Sequence, residues 1–211
     1  MTRAQTKSKE RVRKNGEVFT AKREVKSMLD LVKHETEKID STFLEPACGD
    51  GNFLVEILSR KLKTAIRTAG KNDADFEYLA TRAFASIYGV DIMEDNVDEA
   101  RERMYAKFFT QFVNKYQHHP TNICIDSIRF ILSQNIQCGN TLTAKTNDGN
   151  DLIITKWAFD EGNGLTISLF RYSDMISSGV RCGPVKVLPR IPYIILPAVI
   201  KACYKIDRAA V

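Results

Sequence analysis

The chain has 211 residues, enough for one domain with a real core or for one domain plus a short appendage, and its 44% hydrophobic and 27% charged composition fits a globular protein. The longest apolar run, near Tyr193 to Ile200, is broken by Pro197 and falls far short of the ~20 residues a membrane span requires. Five scattered cysteines without a Cys-x-x-Cys pair argue against a disulfide framework or a zinc site. No apolar segment follows the basic N-terminus, so a secretory leader is not expected and the expected setting is the cytoplasm.

The net charge of +5 is unevenly spread. Arg3, Lys7, Lys9, Arg11, Arg13 and Lys14 crowd the first residues, followed by Lys22, Arg23 and Lys26. Residues 1–14 are expected to form a basic, flexible arm. Such an arm either lies along phosphates or is a solvated, frayed terminus.

From Ala21 to about His34, Val25, Met28, Leu29 and Val32 recur at helical spacing. Ser41 to Glu45 reads as a buried strand. Phe53, Leu54, Ile57, Leu58 and Leu62 form one face of the next helix. A polar loop over 70–75 leads to a short helix through Ala83, and Ser86 to Asp91 reads as a second strand. Asn96 to Phe112 is a helix with Val97, Ala100, Met104, Phe108 and Phe112 inward. Ile125, Ile128, Phe130, Ile131 and Leu132 predict a further helix, which leads into a third strand at Ile136 to Gly139. Alternating strands and helices predict an α/β fold, a parallel sheet covered on both faces by helices. Asp151 to Phe159 and Leu165 to Tyr172 flank Asp160-Glu161-Gly162-Asn163-Gly164, a hairpin sequence. A divergent tail over 176–211 carries Pro184, Pro189, Pro192 and Pro197 and has no assignable structure.

In such sheets ligands sit beyond the carboxyl ends of the strands. Asp50, Asp91 and Asn140 follow the three predicted strands and share that end. The most informative segment is Phe43-Leu44-Glu45-Pro46-Ala47-Cys48-Gly49-Asp50-Gly51-Asn52-Phe53-Leu54. An apolar run ends in an acid, then comes a turn with two glycines, then a helix start. Glycine permits positive φ and close approach of a ligand to the backbone. The helix N-terminus offers unpaired N–H groups and partial positive charge.

This segment resembles the cofactor-binding motif of the S-adenosylmethionine-dependent N-6 adenine DNA methyltransferases of restriction–modification systems. The resemblance covers roughly Asn15 to Asn140, and the methyltransferase-like domain is expected over 15–175. Gly16-Glu17-Val18-Phe19-Thr20 is similar to the N-terminal cofactor motif of that family, with Phe19 and Thr20 at the positions that help hold the methionine end. Thr20 also suits an N-cap of the helix beginning at Ala21. The resemblance implies cofactor contacts from Glu45, Pro46, Ala47, Gly49, Asp50, Gly51 and Asn52. In it Gly49 and Gly51 make room for the methionine moiety, and Glu45 and Asp50 face its ammonium group or nearby waters. Ile87-Tyr88-Gly89-Val90-Asp91-Ile92 matches the next motif. It implies that Asp91 accepts the ribose hydroxyls and that Ile92 packs on the adenine. Asp95 is the better N-cap of the following helix, which frees Asp91. Asn140, in Cys138-Gly139-Asn140, stands where the family commonly has Asp near the cofactor adenine.

The family's catalytic motif, Asn or Asp followed by Pro-Pro and an aromatic, holds the exocyclic amine of a flipped adenine with its lone pair toward the methyl donor. No Pro-Pro pair occurs in the sequence. If Asp151 to Thr155 is the strand that precedes that motif, Lys156-Trp157-Ala158-Phe159 occupies its slot, and a charged lysine accepts no hydrogen bond. The competing reading is a hairpin strand with Trp157 and Phe159 in the core. The expected sheet is therefore incomplete or altered on its C-terminal side. His118-His119 reads as loop surface rather than a metal site. Three functions follow: a protein that binds S-adenosylmethionine and methylates adenine in DNA; a non-catalytic cofactor- or DNA-binding partner subunit; and a degenerate methyltransferase fragment.

Overall fold

The computed structural model describes residues 7–15, 17–177, 182–193 and 196. Arg3, Gly16, Cys203, most of the 193–200 apolar run and much of the predicted tail lie outside the described residues. The described chain is a mixed α/β structure. In order it runs through α1 (Lys9–Asn15), α2 (Lys22–Asp30), α3 (Lys33–Thr36), β1 (Phe43–Glu45), α4 (Asn52–Ala69), α5 (Asp73–Ala85), β2 (Ile87–Asp91), α6 (Glu94–Tyr116), α7 (Asn122–Asn135), β3 (Ile136–Asn140), β4 (Lys145–Thr146), β5 (Ile153–Phe159), β6 (Gly164–Arg171), α8 (Tyr172–Ile176), β7 (Lys186–Val187) and β8 (Ile191–Pro192).

The first sheet has the order β1-β2-β3-β4. β1 to β3 are parallel, with Phe43 opposite Ile87 and Gly89 opposite Ile136. β4 turns back antiparallel on β3, so the expected all-parallel sheet is mixed. β5 and β6 form the predicted hairpin, in register from Ile153–Arg171 to Phe159–Leu165. Its loop is closed by Asp160, whose Oδ1 accepts the amides of Gly162 (2.9 Å) and Gly164 (2.8 Å). β7 and β8 both pair with β6.

β2 is the centre of the core, with Ile87, Tyr88, Gly89 and Val90 all buried. Successive side chains of a strand point to opposite faces, so both faces are covered. A Cβ on Gly89 would stand 2.8 Å from Leu54 of α4. On the other face the Tyr88 hydroxyl donates to the Thr155 carbonyl at 2.8 Å, and burial pushes its acidity down by raising its pKa. The hairpin, not a helix alone, therefore closes that side. Trp157 is anchored there, donating from Nε1 to Asn135 Oδ1 at 2.9 Å and meeting Phe130 edge-on.

The helices follow their apolar periodicity. Leu54, Leu58, Leu62 and Ala65 of α4 are fully buried, as are Ala100, Met104, Phe108 and Phe112 of α6. Phe76 of α5 packs against the rings of both Phe108 and Phe112. Burying each such side chain contributes roughly 1.5–3 kcal/mol.

Four expectations are corrected. The strand at Ser41–Glu45 is shorter and is not buried: β1 is 43–45, and Leu44 is 42% exposed. Among the described residues β1 pairs only with β2, so it is an edge strand of this sheet. The helix predicted from Ala21 to His34 breaks at Leu31, leaving Met28 and Val32 exposed while Val25 and Leu29 are buried. Thr20 does not cap α2. The N-cap is Ala21, whose amide donates to Glu24 Oε2 at 3.1 Å. The segment expected to be a flexible arm contains α1, which Lys7 and Arg11 tie to α6.

Two features can be tested on stability. Gly51 sits at the N-cap of α4 with φ of 86°, and a Cβ there would stand 2.9 Å from the Cβ of Ala100. Left-handed strain and overpacking together predict that Gly51→Ala destabilises the fold by about 2–4 kcal/mol in a urea titration. Lys61 is fully buried, and its ammonium donates to the carbonyls of Ile39 (2.9 Å) and Ser41 (2.5 Å) and to Ser86 Oγ (2.8 Å). Desolvation pushes its pKa down to about 7, against the opposing pull of Asp40 and Glu35. The unfolded chain then holds the extra proton between about pH 7 and the ordinary lysine value, so this group's penalty is full below pH 7 and fades as pH rises. Denaturation at pH 7 and pH 9 is expected to show wild type gaining stability relative to Lys61→Met.

Candidate functional site

The carboxyl ends of β1, β2 and β3 open on a cavity of about 890 Å³. It is bordered by Phe19, Thr20, Glu45, Pro46, Ala47, Gly49, Asp50, Asn52, Asp91, Ile92 and Asn140. These are all the residues singled out from the sequence except Gly51, which lies behind the wall against Ala100. Segments 17–20, 45–53, 91–96 and 139–142 thus meet at one place.

The loop after β1 forms the floor. Gly49 has φ of 51°, and a Cβ on it would stand 3.1 Å from the Phe19 ring, so the aromatic lies directly over the glycine. The Gly49 amide donates to Asp91 Oδ2 at 2.8 Å, which ties the loop to the end of β2. Asp91 Oδ1 accepts from the Met93 amide at 2.9 Å and from Asn96 Nδ2 at 3.3 Å. The N-cap of α6 is Met93, without a side-chain cap, and Asp95 lies in its first turn. The expectation that Asp95 caps this helix is therefore corrected. Asp91 takes the Met93 amide, while Asp95 pairs with Lys7 (2.8 Å) and Arg11 (2.6 Å), which hold its carboxyl well below the usual range. A carboxylate oxygen has two acceptor positions, so Oδ1 of Asp91 is filled and Oδ2 retains one.

Asp50 is 1% exposed, and its carboxylate pairs with Arg103 of α6, Nη1 to Oδ1 at 2.9 Å. The same guanidinium donates to the Asp50 carbonyl and, at 2.7 Å, to Asn52 Oδ1. Asn52 Nδ2 donates to the Thr20 carbonyl at 3.1 Å, joining the N-terminal segment to the start of α4. Asp50 therefore borders the cavity as the anchor of its floor. Glu45 stands at the rim, its pKa raised by burial and partly lowered again by the Ala47 amide at 3.4 Å. The first turn of α4 has Gly51 at its N-cap and no side-chain cap, leaving the positive end of the helix beside the cavity.

Apolar surface lines the rest. Ile92 is 42% exposed beside Asp91. Asn140 spends Oδ1 on the Leu142 amide at 2.9 Å, an Asx turn that carries Leu142 to the rim. Tyr172 and Ile176 of α8 also border the cavity. The segment 156–159, which fills the slot of the missing catalytic motif, does not. It lies in β5, with Trp157 buried and Phe159 against Tyr78 and Tyr193.

Glu17, Asn96 and Arg103 are site residues that sequence reasoning missed. Glu17 sits inside the Gly16–Thr20 motif, next to residues that were chosen. Asn96 and Arg103 flank Ala100 at helical spacing, and that interruption of an apolar face by two polar residues was the available signal. Among the described residues no group of three or more His, Cys, Asp or Glu side chains could hold a metal ion, and no helix is long and apolar enough to cross a membrane. His118 is half exposed and pairs with Asp73 at 3.0 Å.

Comparison with family models, with curated proteins and with solved structures finds no match.

Arg103 is the ion-pair partner of the sealed Asp50 carboxylate. Arg103→Met is expected to destabilise the protein by about 3–5 kcal/mol, measured by denaturant unfolding at pH 7.

Proposed function

We propose that this chain binds S-adenosylmethionine and is a methyltransferase-like protein of the restriction–modification adenine DNA type. One observation carries the reading: segments chosen from the sequence for their likeness to separate cofactor motifs border one cavity. The residues present fit such a ligand. The Asp91 carboxylate beside an exposed Ile92 suits a ribose with an adenine against the apolar face. The positive end of α4 and the acid Glu45 suit the carboxylate and ammonium of the methionine end. Phe19 over Gly49 closes that end. When bound, the cofactor supplies an electrophilic methyl group; the chain's own residues bind it, orient it and exclude water.

DNA is the proposed partner. In the arm, Lys7 and Arg11 are compensated internally by Asp95, Glu99 and Glu17. Lys9 and Arg13 remain exposed for phosphate contact.

A second reading, cofactor binding without methyl transfer by the chain alone, is favoured by the position of 156–159 in β5. No side chain there borders the cavity to accept the hydrogens of an adenine amine. On this reading a partner subunit provides those acceptors.

Calorimetric titration of the full chain with S-adenosylmethionine tests both. Wild type is expected to bind, and Asp91→Ala is expected to lose about 10-fold or more in affinity, the scale of one or two hydrogen bonds to a charged group. Undiminished affinity in Asp91→Ala, or no binding by folded wild type, overturns the proposal. Methyl transfer to unmethylated DNA by the chain alone rejects the second reading.

A further inference from the structure

Asp91 borders the cavity with one acceptor position left, on Oδ2; the Met93 amide and Asn96 Nδ2 fill Oδ1, and the Gly49 amide takes the other position on Oδ2. The donors already in place set the direction in which that last position points. Two of them are backbone amides, fixed by the loop after β1 and by the start of α6. The third is a side-chain amide, and a side-chain amide can turn over, exchanging its oxygen for its nitrogen.

What holds Asn96 in one orientation lies in the N-terminal helix. Asn96 is buried, and its Oδ1 accepts from Arg11 Nη2 at 3.3 Å. Its Nδ2 donates to Glu17 Oε1 at 2.7 Å and to Asp91 Oδ1 at 3.3 Å. Reversed, the amide would set its oxygen against two carboxylates and its N–H groups against a guanidinium, with every donor lost inside the protein. Arg11 enforces the observed orientation twice, directly and through Glu17, whose Oε1 takes Nη2 at 2.6 Å. The guanidinium is itself fixed on α6: Nη1 and Nη2 reach the two oxygens of Asp95 at 2.6 and 3.1 Å. A planar fork of this kind is not reproduced by the point charge of a lysine. Resting on the reading that the cavity takes S-adenosylmethionine, we propose that Arg11 is a positioning residue for that ligand. It sets Asn96, Asn96 sets Asp91, and the remaining acceptor position of Asp91 Oδ2 takes one ribose hydroxyl. Arg11 does not border the cavity, so α1 acts on recognition from behind the wall.

The test titrates S-adenosylhomocysteine and its 2′-deoxy and 3′-deoxy counterparts into the full chain by calorimetry. Wild type is expected to prefer the ribose form over one deoxy form by about 10-fold or more, the scale of one hydrogen bond to a charged group. Arg11→Met is expected to cut that preference to about twofold by weakening the ribose form alone, because Asp91 then loses its fixed direction. Arg11→Lys keeps the charge without the fork; it is expected to lose part of the preference, and gives the same comparison if the methionine variant does not fold. In Asp91→Ala, adding Arg11→Met is expected to change affinity no further, since the group it positions is gone. Equal weakening of all three ligands by Arg11→Met marks α1 as a brace of the fold and overturns the inference. So does a preference that survives the loss of Arg11, or a further loss when that change is added to Asp91→Ala. Wild type that binds all three ligands equally overturns it as well, and leaves the cofactor reading intact if Asp91→Ala still loses affinity. No binding by folded wild type removes both.

Discussion

A carboxylate sealed from water at the turn between a strand and a helix requires a counter-charge, and Arg103 supplies it to Asp50 from the middle of α6. That pair fixes where the loop after β1 sits. The same guanidinium reaches the Asp50 carbonyl and Asn52, so three points of the turn are tied to one side chain. Gly51 allows α6 to come this close, because any larger residue would meet Ala100. The amide of Gly49 is then presented to Asp91, and the ends of β1 and β2 become one surface. The anchored loop forms the floor of the cavity at the carboxyl ends of the strands.

The electrostatics of the site are built in layers outward from that floor. Asp91 is held by backbone amides from two segments, Asn96 links it to Glu17, and Arg11 closes the chain of contacts by joining Glu17 to Asp95. Each buried acid has a defined partner, as charges removed from water must. A consequence is that part of the basic N-terminus is engaged with the protein itself. A cluster of positive charge in a sequence suggests an anionic partner, but here some of that partner is α6.

Much of the site was legible in the sequence because its chemistry is local. The two glycines, the acid before them and the helix after them lie within one short segment, and a strand–turn–helix reading follows from composition and spacing. Asp91 and Asn140 were placed at strand ends by the same periodicity. The errors share a different cause. Ser41–Glu45 looked like a buried strand because its apolar residues suit either a central or an edge position. Only pairing shows that β1 has one neighbour among the described residues. Asp95 looked like the cap of α6 because it is acidic and lies near the helix start. Lys7 and Arg11, more than eighty residues away in sequence, decide that it serves as an ion-pair partner.

The sequence by itself determined the elements: apolar spacing sets helix faces and strand alternation, and Gly-bearing turns set where the chain reverses, since these depend on neighbours within a few residues. Tertiary structure alone decided which partner each of the acids took. Asp50 was matched to Arg103, Asp95 to Arg11, and Glu17 was brought beside Asp91 through Asn96. A carboxylate's role depends on the donors that surround it in space, and those donors come from segments that only the folded chain brings together.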